Sequence, residues 1–193
     1  MPERPAFVPS SLVPSALSGA GAPGRTVHPV AAVAHRVRSA HNVGAMLRTS
    51  DAAGLAHLYL TGFTPTPAHP SVHKTALGAE DWVPWSHHDD VIGLIRRLQA
   101  EGYTVVALEQ TAAPRPVDRF HASDFPLAFV VGNEVEGVAA EVLAACDAAV
   151  EIPQYGQKHS LNVSVAFGIA AYDLVRRWHA VQPLVPEARE RKT

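Results

Sequence analysis

The chain has 193 residues, of which 47% are hydrophobic and 18% are charged, and its formal net charge is −2. This composition is typical of one globular domain, and it excludes a largely disordered chain or a globally basic nucleic-acid-binding protein. The single cysteine excludes an internal disulfide framework and a multi-cysteine zinc site, and no apolar run approaches the length of a membrane span. We therefore expect a cytoplasmic protein of a reducing compartment, with neither a membrane nor a metal as a partner.

Both ends of the chain are predicted to lie outside the folded domain. Residues 1–29 are rich in proline, alanine, serine and glycine without a helical or strand period, which indicates a flexible tail. Residues 181–193 are rich in charge and contain two prolines, which indicates a solvated tail. The predicted domain therefore covers residues 30–180.

Short apolar runs alternate with helical patterns along this domain. In chain order, the pattern predicts a strand at 30–34, a helix at 42–53, a strand at 57–61, a helix at 89–100, strands at 104–108 and 127–131, a helix at 138–146, a strand at 148–152 and a helix at 161–179. Two of the strands are continuously apolar, as expected for strands buried on both faces. The alternation predicts an α/β fold with a mostly parallel sheet and helices on both faces.

The loops that follow the predicted strands are the candidate site. In open parallel sheets, ligands bind beyond the carboxyl ends of the strands. This rule selects residues 61–70, the segment from 109 onward, residues 132–137 and residues 153–162. Three of these loops are rich in glycine, asparagine, glutamate, serine and glutamine.

The first segment with potential chemistry runs from Arg38 to Thr49, where a polar turn leads into a helix. Ser39 or Asn42 can cap that helix. Arg48 can grip a phosphate through its planar guanidinium, or it can be an ordinary surface arginine. The residues alone leave both interpretations open.

Two further segments follow buried strands. At residues 130–138, Gly132 permits close approach of the backbone to a ligand, but the segment also fits an ordinary capped turn before a helix. At residues 152–166, Ser160, Asn162 and Ser164 lie at a helix start, where they can reach a ligand or cap the helix. Each segment alone is weak evidence for a site.

Together, in this order and spacing, the three segments resemble the motifs of the SpoU (TrmH) family of RNA ribose 2'-O-methyltransferases, within the SPOUT superfamily. The matching stretches are RSAHNVGAMLRTSDAAG, FVVGNEVEGV and EIPQYGQKHSLNVSVAFGIA. The resemblance implies an α/β sheet with a C-terminal trefoil knot built from about residues 127–175. It also implies a homodimer that transfers a methyl group from S-adenosylmethionine to a ribose 2'-hydroxyl of tRNA or rRNA, without a metal.

The resemblance implies roles for individual residues as well. The adenosine of the donor would lie against five of them: Leu108, Gly132, Ile152, Ser160 and Leu161. Four polar residues would position substrate and donor: Asn42, Glu134, Ser160 and Asn162. Arg48 would assist the loss of the hydroxyl proton, and because a guanidinium stays charged, it would stabilise the developing alkoxide or hold a phosphate.

Recognition of RNA must use a local patch, because the sequence pI is near 6.6. Seven basic residues are candidates for it: Arg36, Arg38, Arg48, Lys74, Lys158, Arg176 and Arg177. The Trp82 and Trp85 pair either stacks a base or packs a loop on the core. A non-catalytic RNA-binding member of the same fold is the alternative, and the eleven histidines show no spacing typical of a metal site.

Overall fold

The structure is a computed structural model that describes residues 26–158 and 160–182, so the predicted tails lie largely outside the described residues. The strands are β1 (Val30–His35), β2 (Leu58–Thr61), β3 (Trp85–His88), β4 (Thr104–Leu108), β5 (Leu127–Val131) and β6 (Ala148–Val150). The helices are α1 (Ala40–Ala52), α2 (Pro70–Ala76), α3 (Val91–Ala100), α4 (Ala140–Ala145) and α5 (Val163–Val181). Short 3₁₀ turns occur at Ala79–Asp81, Val117–Arg119 and Ala122–Asp124.

The six strands form one sheet in the order β3-β2-β1-β5-β4-β6, and every pair of neighbours is parallel. One face is covered by α1, α2 and α5, and the other by α3 and α4. The prediction of a parallel sheet with helices on both faces is therefore confirmed. All carboxyl ends of the strands meet at one edge, and the loops after them lie side by side there.

The central strands are buried on both faces. All residues of β1 and of β5 are buried, and alternate residues of each strand join opposite cores. Three of the six residues of β1 are alanines. Their small side chains leave room for the helices to pack close to the sheet, which explains why this strand looks weak in sequence but is central in the fold.

Side chains cap the helices where the sequence places short polar residues. Ser39 accepts a hydrogen bond from Asn42 N at the start of α1, so Ser39 and not Asn42 is the cap of that helix. Asp90 caps α3 through Gly93 N, and Asn162 caps α5 through Ser164 N. Predicted helix limits lie within two residues of the observed ones at most ends.

Two elements escaped the sequence analysis, α2 and β3. Strand β3 is an edge strand of half-buried and exposed residues, with the sequence WSHH, so it has no apolar run to indicate it. Within it Trp85 packs against the core, whereas Trp82 precedes the strand and is 52% exposed. The two tryptophans therefore do not form a joint stacking site.

The folded part begins before the predicted boundary at residue 30. His28 is 7% exposed, and its backbone N donates a 2.8 Å hydrogen bond to Gly54 O. No helix that the structure describes is long and apolar enough to cross a membrane. Among the described residues there is also no cluster of three or more side chains fit to hold a metal ion.

A histidine cluster joins β2 to the edge strand β3. The imidazole Nε2 of His57 lies 2.9 Å from Ser86 Oγ, and that hydroxyl lies 2.9 Å from His88 Nε2. The ring of His57 stacks on Tyr59 with centroids 4.1 Å apart. Burial, together with the nearby His88 and Arg97, lowers the pKa of His57 to about 4.

This pKa predicts a pH dependence of folding. Because His57 is harder to protonate in the fold than in the unfolded chain, the unfolded state binds more protons between pH 6.5 and about 4. The free energy of unfolding should therefore decrease as the pH is lowered from 6.5 to about 4, by up to about 3 kcal/mol. Urea titrations at several pH values should show a shallower decline for His57→Gln than for the exposed-site control His41→Gln. Equal losses of unfolding free energy in the two variants would show that the pKa of His57 is not lowered in the fold.

Candidate functional site

A cleft of about 280 Å³ opens where β4, β5 and β6 end and α5 begins. It lies at the carboxyl edge of the parallel sheet, where the loops after neighbouring strands meet. The five residues predicted to hold the adenosine all lie on its walls: Leu108, Gly132, Ile152, Ser160 and Leu161. Their contact with a ligand stays a prediction.

The cleft is acidic. Its walls combine apolar side chains with four glutamates, which are Glu109, Glu134, Glu136 and Glu151, and none of the described lining residues is a lysine or an arginine. Coulomb attraction favours a ligand with positive charge in such a cleft, and like-charge repulsion disfavours a bare phosphate. The site is therefore suited to a cationic small molecule with an apolar part.

The Glu134 carboxylate holds the loop between β1 and α1. Its Oε2 accepts a hydrogen bond from Arg38 N at 2.8 Å, and its Oε1 accepts one from Ser39 N at 2.9 Å. Asn42 Nδ2 donates a third, at 3.0 Å, to Oε1. Partial burial by itself raises the pKa of Glu134, but these donated hydrogen bonds outweigh it and hold the pKa below its usual value.

A pair of asparagines continues this network to the third segment. Asn162 Nδ2 donates a 3.3 Å hydrogen bond to Asn42 Oδ1, which joins the starts of α1 and α5. Asn162 Oδ1 also accepts from Ser164 N at 2.8 Å and from Ser164 Oγ at 2.6 Å. Three of the predicted positioning residues, Asn42, Glu134 and Asn162, are thus linked directly, and capping and site formation are done by the same side chains.

Two residues that the sequence analysis did not single out complete the walls. Asn133 Nδ2 donates to Arg36 O at 2.9 Å, and Asn133 forms a bridge with Gly137 that closes the loop after β5. Glu109 Oε2 accepts from Val138 N at 2.8 Å. Both are polar residues one or two positions beyond an apolar strand, and that position is the signal that could have identified them.

Arg48 is not brought to this cleft. It is exposed on α1 and does not line the cleft. Asn42 marks the end of α1 nearest the cleft, and six residues place Arg48 about 9 Å farther along the helix axis. Of the predicted site residues, Arg48 is therefore the one that stands apart.

Gly132 is required for contact between two parts of the backbone. The sequence analysis gave it the role of letting a ligand approach the backbone. In the structure, a Cβ at Gly132 would lie 2.0 Å from Gly137 O and 2.2 Å from Gly137 C, so it would strike the loop that closes on it. The glycine permits two backbone segments to touch at the cleft wall, and its contact with a ligand stays a prediction.

Comparison with known proteins gives a consistent result. The model of the SpoU rRNA Methylase family matches residues 29–172. The chain is similar to a 23S rRNA (guanosine-2'-O-)-methyltransferase RlmB of Vibrio parahaemolyticus, with 36% identity over 77% of this chain and 60% of the relative. It is equally similar to a tRNA (guanosine(18)-2'-O)-methyltransferase of Thermus thermophilus, with 36% identity over 73% of this chain and 71% of the relative.

A solved structure agrees in fold. The crystal structure of an AdoMet-bound rRNA methyltransferase from Sinorhizobium meliloti superposes with a TM-score of 0.70 at 29% identity, over 78% of this chain and 58% of that one. The chain thus spans about 60% of the length of the first of these relatives and of the solved neighbour.

The close contact at Gly132 predicts that an added Cβ destabilises the fold there but not at Gly156. Gly132→Ala should force the Gly137 loop away, because the new Cβ meets backbone atoms at 2.0 to 2.5 Å. Overpacking of this kind costs about 1–3 kcal/mol, so thermal unfolding should shift down by several degrees. Gly156→Ala is the matched control, since nothing lies within 4 Å of its Cβ. Equal melting temperatures for the two variants would show that the loop does not close as described.

Proposed function

Since the chain belongs to the SpoU rRNA methylase family, we propose that it is an S-adenosylmethionine-dependent methyltransferase that acts on a ribose 2'-hydroxyl of tRNA or rRNA. The observation that carries this proposal is the meeting of three sequence segments at one acidic cleft. The named activities of the Vibrio and Thermus relatives support the reaction class and leave both kinds of RNA open.

The cleft fits the donor chemically. S-adenosylmethionine supplies a methyl group on a positively charged sulfonium, which is electrophilic without a metal. Apolar residues such as Leu108, Ile152 and Leu161 can cover the flat adenine, while the four glutamates complement the positive charge. The acidic walls also disfavour an RNA phosphate that has no cation beside it, so the ribose hydroxyl is the group presented to the donor.

The described residues mainly orient the reactants. Glu134 fixes the loop that starts α1, and Asn42 and Asn162 hold the two helix starts in register. Ser160 lies on the cleft wall, where its hydroxyl can contact donor or ribose. Such positioning supplies much of the rate of a group transfer, because it replaces the entropy cost of an encounter.

A homodimer would bring Arg48 to a reacting ribose. On α1, His41, Ala45, Arg48 and Ala52 recur at helical spacing on an exposed or half-buried face. Beside it, α5 exposes three large side chains, which are Val165 (51%), Ile169 (37%) and Tyr172 (47%). The two helices touch, since a Cβ at Gly168 would lie 3.7 Å from Thr49 Cγ2.

This face is suited to a second copy of the chain. Apolar side chains at i, i+4 and i+7 on α5 beside small residues on α1 form a self-complementary surface that a two-fold axis can bury. A partner docked there places its Arg48 at the interface, from which it can reach the cleft of the first subunit. There the guanidinium stabilises the alkoxide or holds a phosphate, and the hydroxyl proton passes to solvent.

The trefoil knot implied by the family is also part of the proposal. After β6, at the sheet edge, the chain returns so that α5 packs against α1 and β1 near the middle of the sheet. On the way, α5 touches the segment between β4 and β5, where Arg177 Nε donates to Phe120 O at 2.6 Å. A helix that crosses back past an earlier connection in this way supports a threaded C-terminus.

Methyl transfer tests the function directly. The purified chain should bind S-adenosylmethionine in calorimetry and should transfer its methyl group to tRNA or rRNA from cells that lack the gene, as read by nucleoside mass spectrometry. Arg48→Ala should lower the rate by about 10²–10³ with donor affinity unchanged, and Arg48→Lys should restore little. Arg96→Ala, an exposed arginine on α3 across the sheet, is the control.

Three outcomes would count against parts of this proposal. Donor binding without transfer to any RNA would favour the non-catalytic alternative. Arg48→Ala turnover within about twofold of the unchanged protein would remove Arg48 from the mechanism, since loss of a transition-state contact costs far more. Equal losses of rate and donor affinity in Arg48→Ala would instead place Arg48 in the donor site.

The dimer has its own test. Light scattering at micromolar concentration should give twice the chain mass of 20.6 kDa. Ile169→Asp should shift the protein to monomer, because it buries a carboxylate in the apolar face. Ala100→Asp, at an exposed position of α3 on the other side of the sheet, should remain dimeric. A monomeric mass for the unchanged chain would contradict the proposed role of the partner's Arg48.

A further inference from the structure

Phe63 is an exposed aromatic side chain on a firmly held stretch of backbone. It is 57% exposed just beyond the carboxyl end of β2. The residue before it, Gly62, makes two hydrogen bonds to β3. Its N donates to His88 O at 3.1 Å, and its O lies 2.7 Å from His87 Nε2. The ring is therefore presented to solvent from a backbone that has little freedom.

The residue after it is fixed just as firmly. Thr64 is 2% exposed, and its hydroxyl lies 3.0 Å from Ala34 O and 2.8 Å from Thr61 O. The same oxygen accepts a hydrogen bond from Val37 N at 3.1 Å. Thr64 thus joins the loop after β2 to the loop after β1, which carries the first functional segment.

Arg36, in that neighbouring loop, lies over the Phe63 ring. Its guanidinium carbon is 5.8 Å from the ring centroid, and its backbone adopts a left-handed φ of 53°. Arg36 N donates to Thr61 O at 3.1 Å, and Arg36 O accepts from Asn133 Nδ2 at 2.9 Å. An unfavourable conformation held by bonds at both ends directs the side chain toward the ring.

The Arg36–Phe63 pair lies next to the cleft. Asn133, which anchors Arg36, lines that cleft, and so does Glu134, which holds the backbone of Arg38. Within the described part of the chain, the guanidiniums of Arg36 and Arg38 are exposed and have no carboxylate partner. The acidic cleft is therefore bordered by a basic rim that carries the exposed ring of Phe63.

We propose that Arg36 and Phe63 form a stacking platform that binds one unpaired RNA base beside the nucleotide to be methylated. An exposed ring of this kind stacks on any base, and a neighbouring guanidinium adds attraction to the base face or to the phosphate. RNA-binding sites that read single-stranded loops combine these same two groups. The platform rests on the proposed function, because it assigns part of the RNA surface of that reaction.

A comparable aromatic elsewhere provides a control. Trp82 is 52% exposed, but it precedes β3 and so lies toward the amino edge of the sheet, away from the cleft. If any exposed aromatic ring bound RNA non-specifically, replacement of either residue would weaken RNA binding. If the platform is at the cleft, replacement of Phe63 weakens RNA binding and replacement of Trp82 does not.

Binding of RNA, measured apart from methylation, tests the platform. The probe is a fluorescein-labelled single-stranded RNA of about 12 nucleotides, followed by anisotropy against the full chain. Phe63→Ala should weaken binding about five- to 100-fold, the range for loss of one base–aromatic stack, whereas Phe63→Trp should retain it and Trp82→Ala should not change it. Arg36→Gln should lower the slope of log affinity against log salt by about one.

The outcomes separate the platform from the enzyme activity. Binding by Phe63→Ala within about twofold of the unchanged chain, equal losses in Trp82→Ala, or no binding of the probe by the unchanged chain would overturn the platform. If Phe63→Ala loses RNA affinity but no RNA is methylated by any variant, the platform stands and the methyltransferase proposal falls. In turnover, the platform predicts a raised KM with unaltered donor affinity. Melting temperatures of the variants verify that each is folded.

Discussion

The carboxylate of Glu134 is the interaction on which the arrangement of the site depends. It comes from the loop after β5 and receives two backbone N–H groups and one amide from the segment that starts α1. Through Asn42 the same network reaches Asn162 at the start of α5. Without an acceptor in this place, the N–H groups of Arg38 and Ser39 would bond to water instead, and the three segments would have no common anchor.

Charge separates the two tasks of the site. The cleft carries four glutamates and no described basic residue, while Arg36 and Arg38 stand at its border. The proposed cationic donor and the proposed polyanionic substrate would thereby be attracted to adjacent but different surfaces. The same separation shows that a chain with net charge −2 can carry a local basic rim. Arg177, by contrast, is occupied with Phe120 O and adds little to that rim.

Much of the fold was predictable because buried parallel strands leave a simple signal. Strands β4 and β5 are continuous apolar runs, and glycines with positive φ, Gly54 and Gly102, lie just after the ends of α1 and α3. The edge strand β3 carries no such run, and the partners of Glu134 lie more than 90 residues away in sequence. The resemblance to a known family suggests that Glu134 and Asn42 are functional, but only the folded chain shows that they contact each other. The distance of Arg48 from the cleft is likewise visible only once α1 is in place, because the helix carries Arg48 away from Asn42.

The loops at the carboxyl edge of the sheet are held together by side chains of the cleft wall that reach from one loop to the next. Glu109 after β4 holds Val138, Asn133 after β5 holds Arg36, and Glu134 holds Ser39. Such mutual bracing limits how the site can change over evolutionary time. A substitution in one loop disturbs a second loop, so accepted changes should occur in compensating pairs. The exposed side chains beyond these braces are free of that coupling, so they can change in related lineages while the cleft stays intact.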